Sequence, residues 1–103
     1  MENMLILYGF KKNAYSRTYV PVPEIMNAEF KDATVINEHN SKEKVIYQIY
    51  YLDENDFEFI IRIIVSYPDD SITIMADEAN IAVRAYQVLY NKLVIGELKG
   101  DTF

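Results

Sequence analysis

The chain lacks cysteine, contains one histidine and has only three glycines among its 103 residues. Without cysteine there are no disulfides, thiol nucleophiles, zinc–thiolate sites or iron–sulfur ligands. The histidine, His39, falls in the polar stretch 37–42, where we expect a solvated loop rather than a catalytic site. Gly9, Gly96 and Gly100 do not cluster, so no phosphate-binding loop can be assembled from them. We therefore expect no enzyme activity, no cofactor and no metal.

The apolar residues occur in short runs. They make up 50% of the sequence, yet no run approaches the roughly 20 residues that cross a bilayer. The apolar start at residues 4–8 has neither the basic lead nor the small-residue cleavage site of a secretory signal. We expect a cytoplasmic protein without membrane contact. The mass of 12.0 kDa predicts a single domain, residues 1–103, with one core.

The middle of the chain has the pattern of an antiparallel meander. Residues 45–52 are aromatic and β-branched and predict a strand. A polar turn of four residues, 53–56, separates it from a second strand at 57–65. Turn residues at 67–71 then lead to a third strand at 72–75.

The rest of the chain predicts helices and further strands. Asp77 is the expected N-cap of a C-terminal helix. One apolar stripe runs along that helix at Ala82, Ala85, Tyr86, Leu89 and Leu93. Before the meander we expect a strand at 4–10, an extended edge or loop segment at 17–23, a short helix at 24–30 and a strand at 33–36.

The predicted fold class is α+β. An antiparallel β-sheet, a meander of three strands plus one or two N-terminal strands, packs against one C-terminal α-helix. A final extended segment is expected at 93–95.

A four-residue turn fixes a predicted register in which Leu52 faces Phe57 and Tyr47 faces Arg62. The core face then carries Ile46, Tyr50, Leu52, Phe57, Phe59, Ile61, Ile63, Val65, Ile72 and Ile74. The second face carries Val45, Tyr47, Ile49, Tyr51, Glu58, Ile60, Arg62, Ile64, Thr73 and Met75. This second face is too apolar for solvent, so we expect the N-terminal segment, a second copy or a partner to cover it. Tyr47, Tyr51 and Arg62 are its candidate partner-binding residues.

The negative charge is concentrated in one quarter of the sequence. The formal net charge is −6, and residues 53–78 alone contain eight acidic residues against Arg62. Because the second strand runs away from the 53–56 turn and the third runs back, both ends of this stretch should meet at one end of the sheet. We name this predicted group the acidic rim: Asp53, Glu54, Asp56, Asp77 and Glu78. Asp69 and Asp70 mark the opposite end.

The acidic rim suggests a function. It would repel nucleic acid and attract a basic protein surface. We therefore expect a small acidic, non-catalytic protein-interaction module that binds or inhibits a basic macromolecule. Bacterial or phage inhibitor and immunity proteins that mask a nucleic-acid-binding surface follow this physics. Acidic residues also occur in turns and at helix starts simply for solubility.

Two other functions stay open at this point. One is a homodimeric domain that holds a small apolar ligand on its second sheet face. The other is a small enzyme that uses paired carboxylates.

Overall fold

Five strands form one antiparallel sheet with two helices. The computed structural model describes residues 6–11, 21–68 and 71–92. Its elements are β1 Ile6–Lys11, α1 Val22–Glu29, β2 Thr34–Asn40, β3 Lys44–Leu52, β4 Glu58–Ser66, β5 Ser71–Ala76 and α2 Ala79–Tyr90. The strand order is β1-β5-β4-β3-β2, and every neighbouring pair is antiparallel. The predicted α+β fold, with its meander and its C-terminal helix, is confirmed.

Both helices contribute to one core on the same side of the sheet. Contacts join α2 to α1, β1, β5 and β4. The predicted stripe of α2 is buried at Ala82, Ala85 and Leu89, and Leu93 lies outside the described residues. The buried hydrophobic residues are Val22, Ile25, Met26, Phe30, Val45, Tyr47, Ile49, Ile61, Ile63, Val65, Ile72, Ile74, Ala76, Ile81, Ala82, Ala85 and Leu89.

The N-terminal half of the prediction is confirmed in outline, with shifted boundaries. Helix α1 begins at Val22, two residues earlier than expected, because a proline in the first helical turn needs no N–H partner. Strand β2 continues through Asn40 and includes His39, so the prediction of a loop around this histidine is wrong. Residues 17–20 of the expected extended segment 17–23, the acidic pair Asp69 and Asp70, and the expected segment at 93–95 lie outside the described residues.

The predicted register of β3 and β4 is wrong by one residue. Leu52 pairs with Glu58 instead of Phe57, and Tyr47 pairs with Ile63 instead of Arg62. A one-residue slip moves every side chain of one strand to the opposite face. The core assignments in β4 and β5 are therefore right, whereas the two faces of β3 are exchanged.

The connection between β3 and β4 explains the slip. The Asp53 N–H donates to the Phe57 carbonyl at 3.0 Å, which leaves a loop of three residues, 54–56, inside that pair. Asp56 adopts a positive φ of 65°, and its N–H donates to the Asp53 carbonyl at 3.0 Å. A tight turn followed by one left-handed residue is the usual three-residue hairpin loop. Phe57, expected in the core, is instead 63% exposed.

The sheet surface opposite the helices is called the open face here. Its half-buried side chains are Ile46, Gln48, Tyr50, Ile60, Arg62, Ile64, Thr73 and Met75. Strand β1 does not cover this face, because it extends the sheet beside β5. In the part of the chain that the structure describes, no helix packs on the open face. Nor is any helix of that part long and apolar enough to cross a membrane.

The exchange of the β3 faces predicts different roles for two nearby tyrosines. Tyr47→Ala should lower the free energy of unfolding by roughly 3–5 kcal/mol, as truncation of a large buried aromatic does. Tyr50→Ala, on the open face, should cost far less. Urea denaturation of both variants measures the difference. Equal losses, or a larger loss for Tyr50→Ala, would contradict the register.

Candidate protein-binding site

The hairpin loop at residues 53–57 holds three acidic residues with different tasks. The Asp53 Oδ1 atom accepts hydrogen bonds from the N–H groups of Asn55, at 2.8 Å, and Phe57, at 2.9 Å. This carboxylate therefore organises the loop, as aspartate does in a local turn. Glu54 and Asp56 are exposed. Within the described residues, neither of their side chains makes a hydrogen bond, so their charges face solvent.

Asp77 and Glu78 connect β5 to α2 at the same end of the sheet. The two Asp77 carboxylate oxygens lie 3.3 and 3.4 Å from the backbone N of Ile60 in β4. This contact carries the β4–β5 pairing one step beyond Ile61 and Ala76. Asp77 was the expected N-cap, but the structure places Glu78 at that position, in an extended conformation without a side-chain capping bond. The Asp77 carboxylate accepts a hydrogen bond from the backbone of β4 instead of capping α2.

One cavity joins the hairpin to the start of α2. Its volume is about 520 Å³. It is lined by Asp53, Phe57, Glu58, Phe59, Glu78, Asn80, Ile81 and Arg84. Asp53 and Glu78, which are 25 positions apart in the sequence, thus face the same space. A neighbouring cavity of about 590 Å³ is also lined by Asp53, together with Glu54, Glu29 and Arg84.

The structure therefore brings the members of the acidic rim to one end of the sheet. Asp53 and Glu78 share a cavity, Glu54 and Asp56 belong to the adjoining loop, and Asp77 is bonded to β4 beside them. Glu58 adds a carboxylate that was not predicted as a site residue. The alternating strand pattern assigned Glu58 to the second sheet face. It did not indicate that Glu58 is the first residue of β4 and therefore lies beside the acidic rim.

Arg84 is the main residue of this region that the sequence analysis missed. Its Nε atom donates to the Glu29 Oε2 atom at 2.9 Å, and its Nη2 atom donates to the Glu29 carbonyl at 3.4 Å. The guanidinium lies 4.5 Å from the centre of the Phe30 ring and 5.8 Å from that of Tyr51. These contacts join α2 to α1 and to β3. They engage the Arg84 guanidinium on the helix side of the rim.

The surroundings of Arg84 favour its charged form. Burial alone would lower the pKa of the guanidinium, but hydrogen bonds to Glu29 and Tyr51 and the charge of Glu29 outweigh burial and raise the pKa. The ion pair is partly exposed, so its direct contribution to stability is small. The ion pair orients the Arg84 guanidinium toward Glu29.

Tyr47, Tyr51 and Arg62, predicted together on the second sheet face, do not form one surface. Tyr47 is 1% exposed in the core, so it is not accessible to a partner. Tyr51 also points toward the helices, where its ring centre lies 4.9 Å from that of Phe30 and 6.2 Å from that of Phe59. Arg62 alone lies on the open face, opposite Gln48. The register shift explains this separation, because it turned both tyrosines inward.

Neither the described residues nor the comparisons with known proteins indicate a metal or another ligand at the acidic rim. Within residues 21–68 and 71–92, no three His, Asp or Glu side chains converge as a metal site would require. No protein-family model matches the chain, and searches of curated proteins and of solved structures find no match either.

The two hydrogen bonds to Asp53 predict a structural cost that its neighbour does not share. Asp53→Ala should lower the free energy of unfolding by about 1–3 kcal/mol, because two loop N–H groups lose a charged acceptor. Glu54→Ala, one position along, should change it by less than about 0.5 kcal/mol. Urea unfolding of the two variants provides the measurement. A harmless Asp53→Ala would show that the loop does not depend on this carboxylate.

Proposed function

We propose that this protein is a non-catalytic interaction module that binds a basic protein partner through its acidic rim. The single observation that carries the proposal is the cavity shared by Asp53, Glu58 and Glu78, with aromatic rings in its wall. Acidic residues from the hairpin, from β4 and from the start of α2 line one recess, and Arg84 in the same wall is paired with Glu29. A cationic side chain entering there would meet several negative charges together.

The exposed carboxylates, rather than all members of the acidic rim, supply the attraction. Asp53 and Asp77 accept backbone hydrogen bonds and hold the rim in shape. Glu54, Asp56 and Glu78 are exposed. Charges in this position raise the rate of encounter with a basic surface by roughly 10- to 1,000-fold, and salt weakens the effect.

The aromatic residues of the cavity favour a lysine or arginine side chain over a simple ion. Phe57 is 63% exposed beside the carboxylates, and Phe59 is half-buried behind it. An aliphatic stem packs against such rings while its charged head reaches the carboxylates. The ring face adds a cation–π attraction for the head itself. An exposed phenylalanine next to acidic groups therefore suits a basic protein surface.

Binding of this kind provides a route to inhibition. Where the basic surface of the partner also binds nucleic acid, the rim and the phosphates compete for the same lysine and arginine side chains. Occupying that surface would displace the nucleic acid without any catalytic step. We propose this masking as the mode of action.

Two variants of equal net charge test the proposal. Glu54→Lys/Glu78→Lys reverses the rim, whereas the control Glu38→Lys/Glu43→Lys reverses exposed charges on β2 and the following turn. The probe is a fluorescent decapeptide of alternating lysine and glycine, and stopped-flow anisotropy at several salt concentrations measures its association. The rim variant should associate roughly tenfold more slowly than the control and show a flatter salt dependence.

The comparison separates a site from general charge. Both variants change the net charge by the same amount, so a purely non-specific attraction would slow both equally. That outcome would contradict the proposal. If only the rim variant is slowed, the measurement is repeated with a protein partner recovered from the source cells in place of the peptide. Nucleic acid is then added as a competitor for that partner.

A further inference from the structure

A small recess with a polar lining lies on the open face. Its volume is about 220 Å³, and it spans strands β2, β3 and β4. The residues that line it are Asn37, His39, Ile46, Gln48, Arg62 and Ile64. Four of these six carry side chains that donate N–H groups. Unlike the two cavities beside the acidic rim, this recess has no carboxylate in its lining.

The register of the sheet arranges the lining residues in two rows. Asn37 of β2 pairs with Gln48 of β3, and Gln48 pairs with Arg62 of β4. Directly paired residues of neighbouring strands lie about 5 Å apart and share one face of the sheet. The second row, two positions along, consists of His39, Ile46 and Ile64. The recess therefore has three donors along one side, with two isoleucines and a histidine along the other.

The donors around the recess are available to a ligand. Within the described residues, the side chains of Asn37, Gln48 and Arg62 make no hydrogen bond and no ion pair with the protein. Arg62 is half-buried, so its aliphatic stem packs beside apolar neighbours while its guanidinium reaches the recess. Solvent can be exchanged there for a ligand whose oxygen atoms accept the same hydrogen bonds.

The three strands of the recess carry two acidic residues, and neither lines it. Glu38 of β2 belongs to the opposite face, where its carboxylate accepts a hydrogen bond from the Asn40 side chain at 3.1 Å. Glu58 is four residues from Arg62 along β4, which is about 13 Å. Partial burial, and then the charge of Glu58 and a hydrogen bond to it, raise the pKa of the Tyr50 hydroxyl. The Glu58 carboxylate is therefore engaged at the other end of β4.

We propose that this recess binds a carboxylate group on a short aliphatic chain, with Arg62 as its ion partner. The planar guanidinium presents parallel N–H groups that match the two oxygens of a carboxylate. The side-chain amides of Asn37 and Gln48 add donors around the same group. The aliphatic chain of the ligand packs against the two isoleucines. The recess lies on the opposite side of the sheet from the rim cavity, so the proposal does not depend on the function of the rim.

The charge and the size of the recess favour a carboxylate over a phosphate. Arg62 supplies one positive charge, which balances one carboxylate, whereas a phosphate monoester carries nearly two negative charges at neutral pH. A volume of about 220 Å³ equals that of roughly seven molecules of liquid water, which admits an acid of about six non-hydrogen atoms. A ligand of this size held by one ion pair should bind with a dissociation constant in the millimolar range.

Butyrate is the probe, because it has a carboxylate, a three-carbon chain and no other polar group. In a titration followed by ¹H–¹⁵N NMR, the side-chain amide signals of Asn37 and Gln48 and the Nε–H signal of Arg62 should shift together. Butyramide has the same shape without the charge, and it should leave these signals unchanged at the same concentration. Sodium chloride at matched ionic strength measures the general effect of salt.

Two variants that each remove one positive charge test the role of Arg62. Arg62→Gln should raise the dissociation constant for butyrate at least tenfold. Lys44→Gln is the matched control. Lys44 pairs with Ser66 on the same face, four residues beyond Arg62 along β4, and salt largely screens its exposed charge at that distance. This control should change the constant by less than about twofold.

Two sources can supply such a carboxylate, a free short-chain acid and the side chain of a glutamate in another protein. Glutamate blocked as its N-acetyl methylamide presents that side chain without a further charge. Tighter binding of butyrate assigns the free acid as the ligand. Tighter binding of the blocked glutamate assigns a protein side chain.

Four results would each overturn the proposal. They are no shift of the three signals with butyrate, the same shifts with butyramide, tighter binding of inorganic phosphate than of either carboxylate, and a folded Arg62→Gln variant that binds butyrate as the wild type does. Circular dichroism verifies that both variants are folded. The comparison of butyrate with butyramide uses the wild-type chain, so it tests the proposal even if Arg62→Gln unfolds.

Discussion

The hydrogen-bonded loop between β3 and β4 controls which residues of this protein meet solvent. Its three residues lie inside a pair formed by Asp53 and Phe57, and the left-handed Asp56 completes the turn. A loop with one residue fewer or more would shift β3 by one position and exchange its faces. Tyr47 would then leave the core, and Tyr50 would enter it. The composition of both surfaces of the sheet thus follows from a single turn.

The fold could be predicted from the sequence because its signals are local. Three β-rich runs separated by short polar turns indicate a meander, and the α2 stripe indicates one buried helix face. The register could not be predicted in the same way. Both faces of β3 are apolar, with Tyr47 and Ile49 on one and Ile46 and Tyr50 on the other, so burial does not distinguish them. The deciding feature was a left-handed conformation at an aspartate, where glycine is the usual signal.

In the candidate site, too, one part could be predicted from the sequence and another part could not. The meeting of Asp53 with Glu78 follows from topology, because an antiparallel strand must return to the end at which its neighbour began. The role of Arg84 depends on contact between α1, α2 and the sheet, and its ion-pair partner Glu29 is 55 positions away. No pattern of spacing indicates such a contact. The predicted pairing of Tyr47 with Arg62 does not form, whereas Arg84 makes cation–π contacts with Phe30 and Tyr51.

The two arginines of this region show how the sheet separates two environments. Arg84 lies on the helix side and has a carboxylate, a carbonyl and two aromatic rings around it. Arg62 lies on the open face, half-buried between isoleucines, with an amide and a thioether as cross-strand neighbours. The helix layer completes the first environment, but among the described elements nothing comparable completes the second. Because Arg62 is half-buried rather than enclosed, its aliphatic stem can lie along the neighbouring apolar side chains while its charged head keeps contact with water.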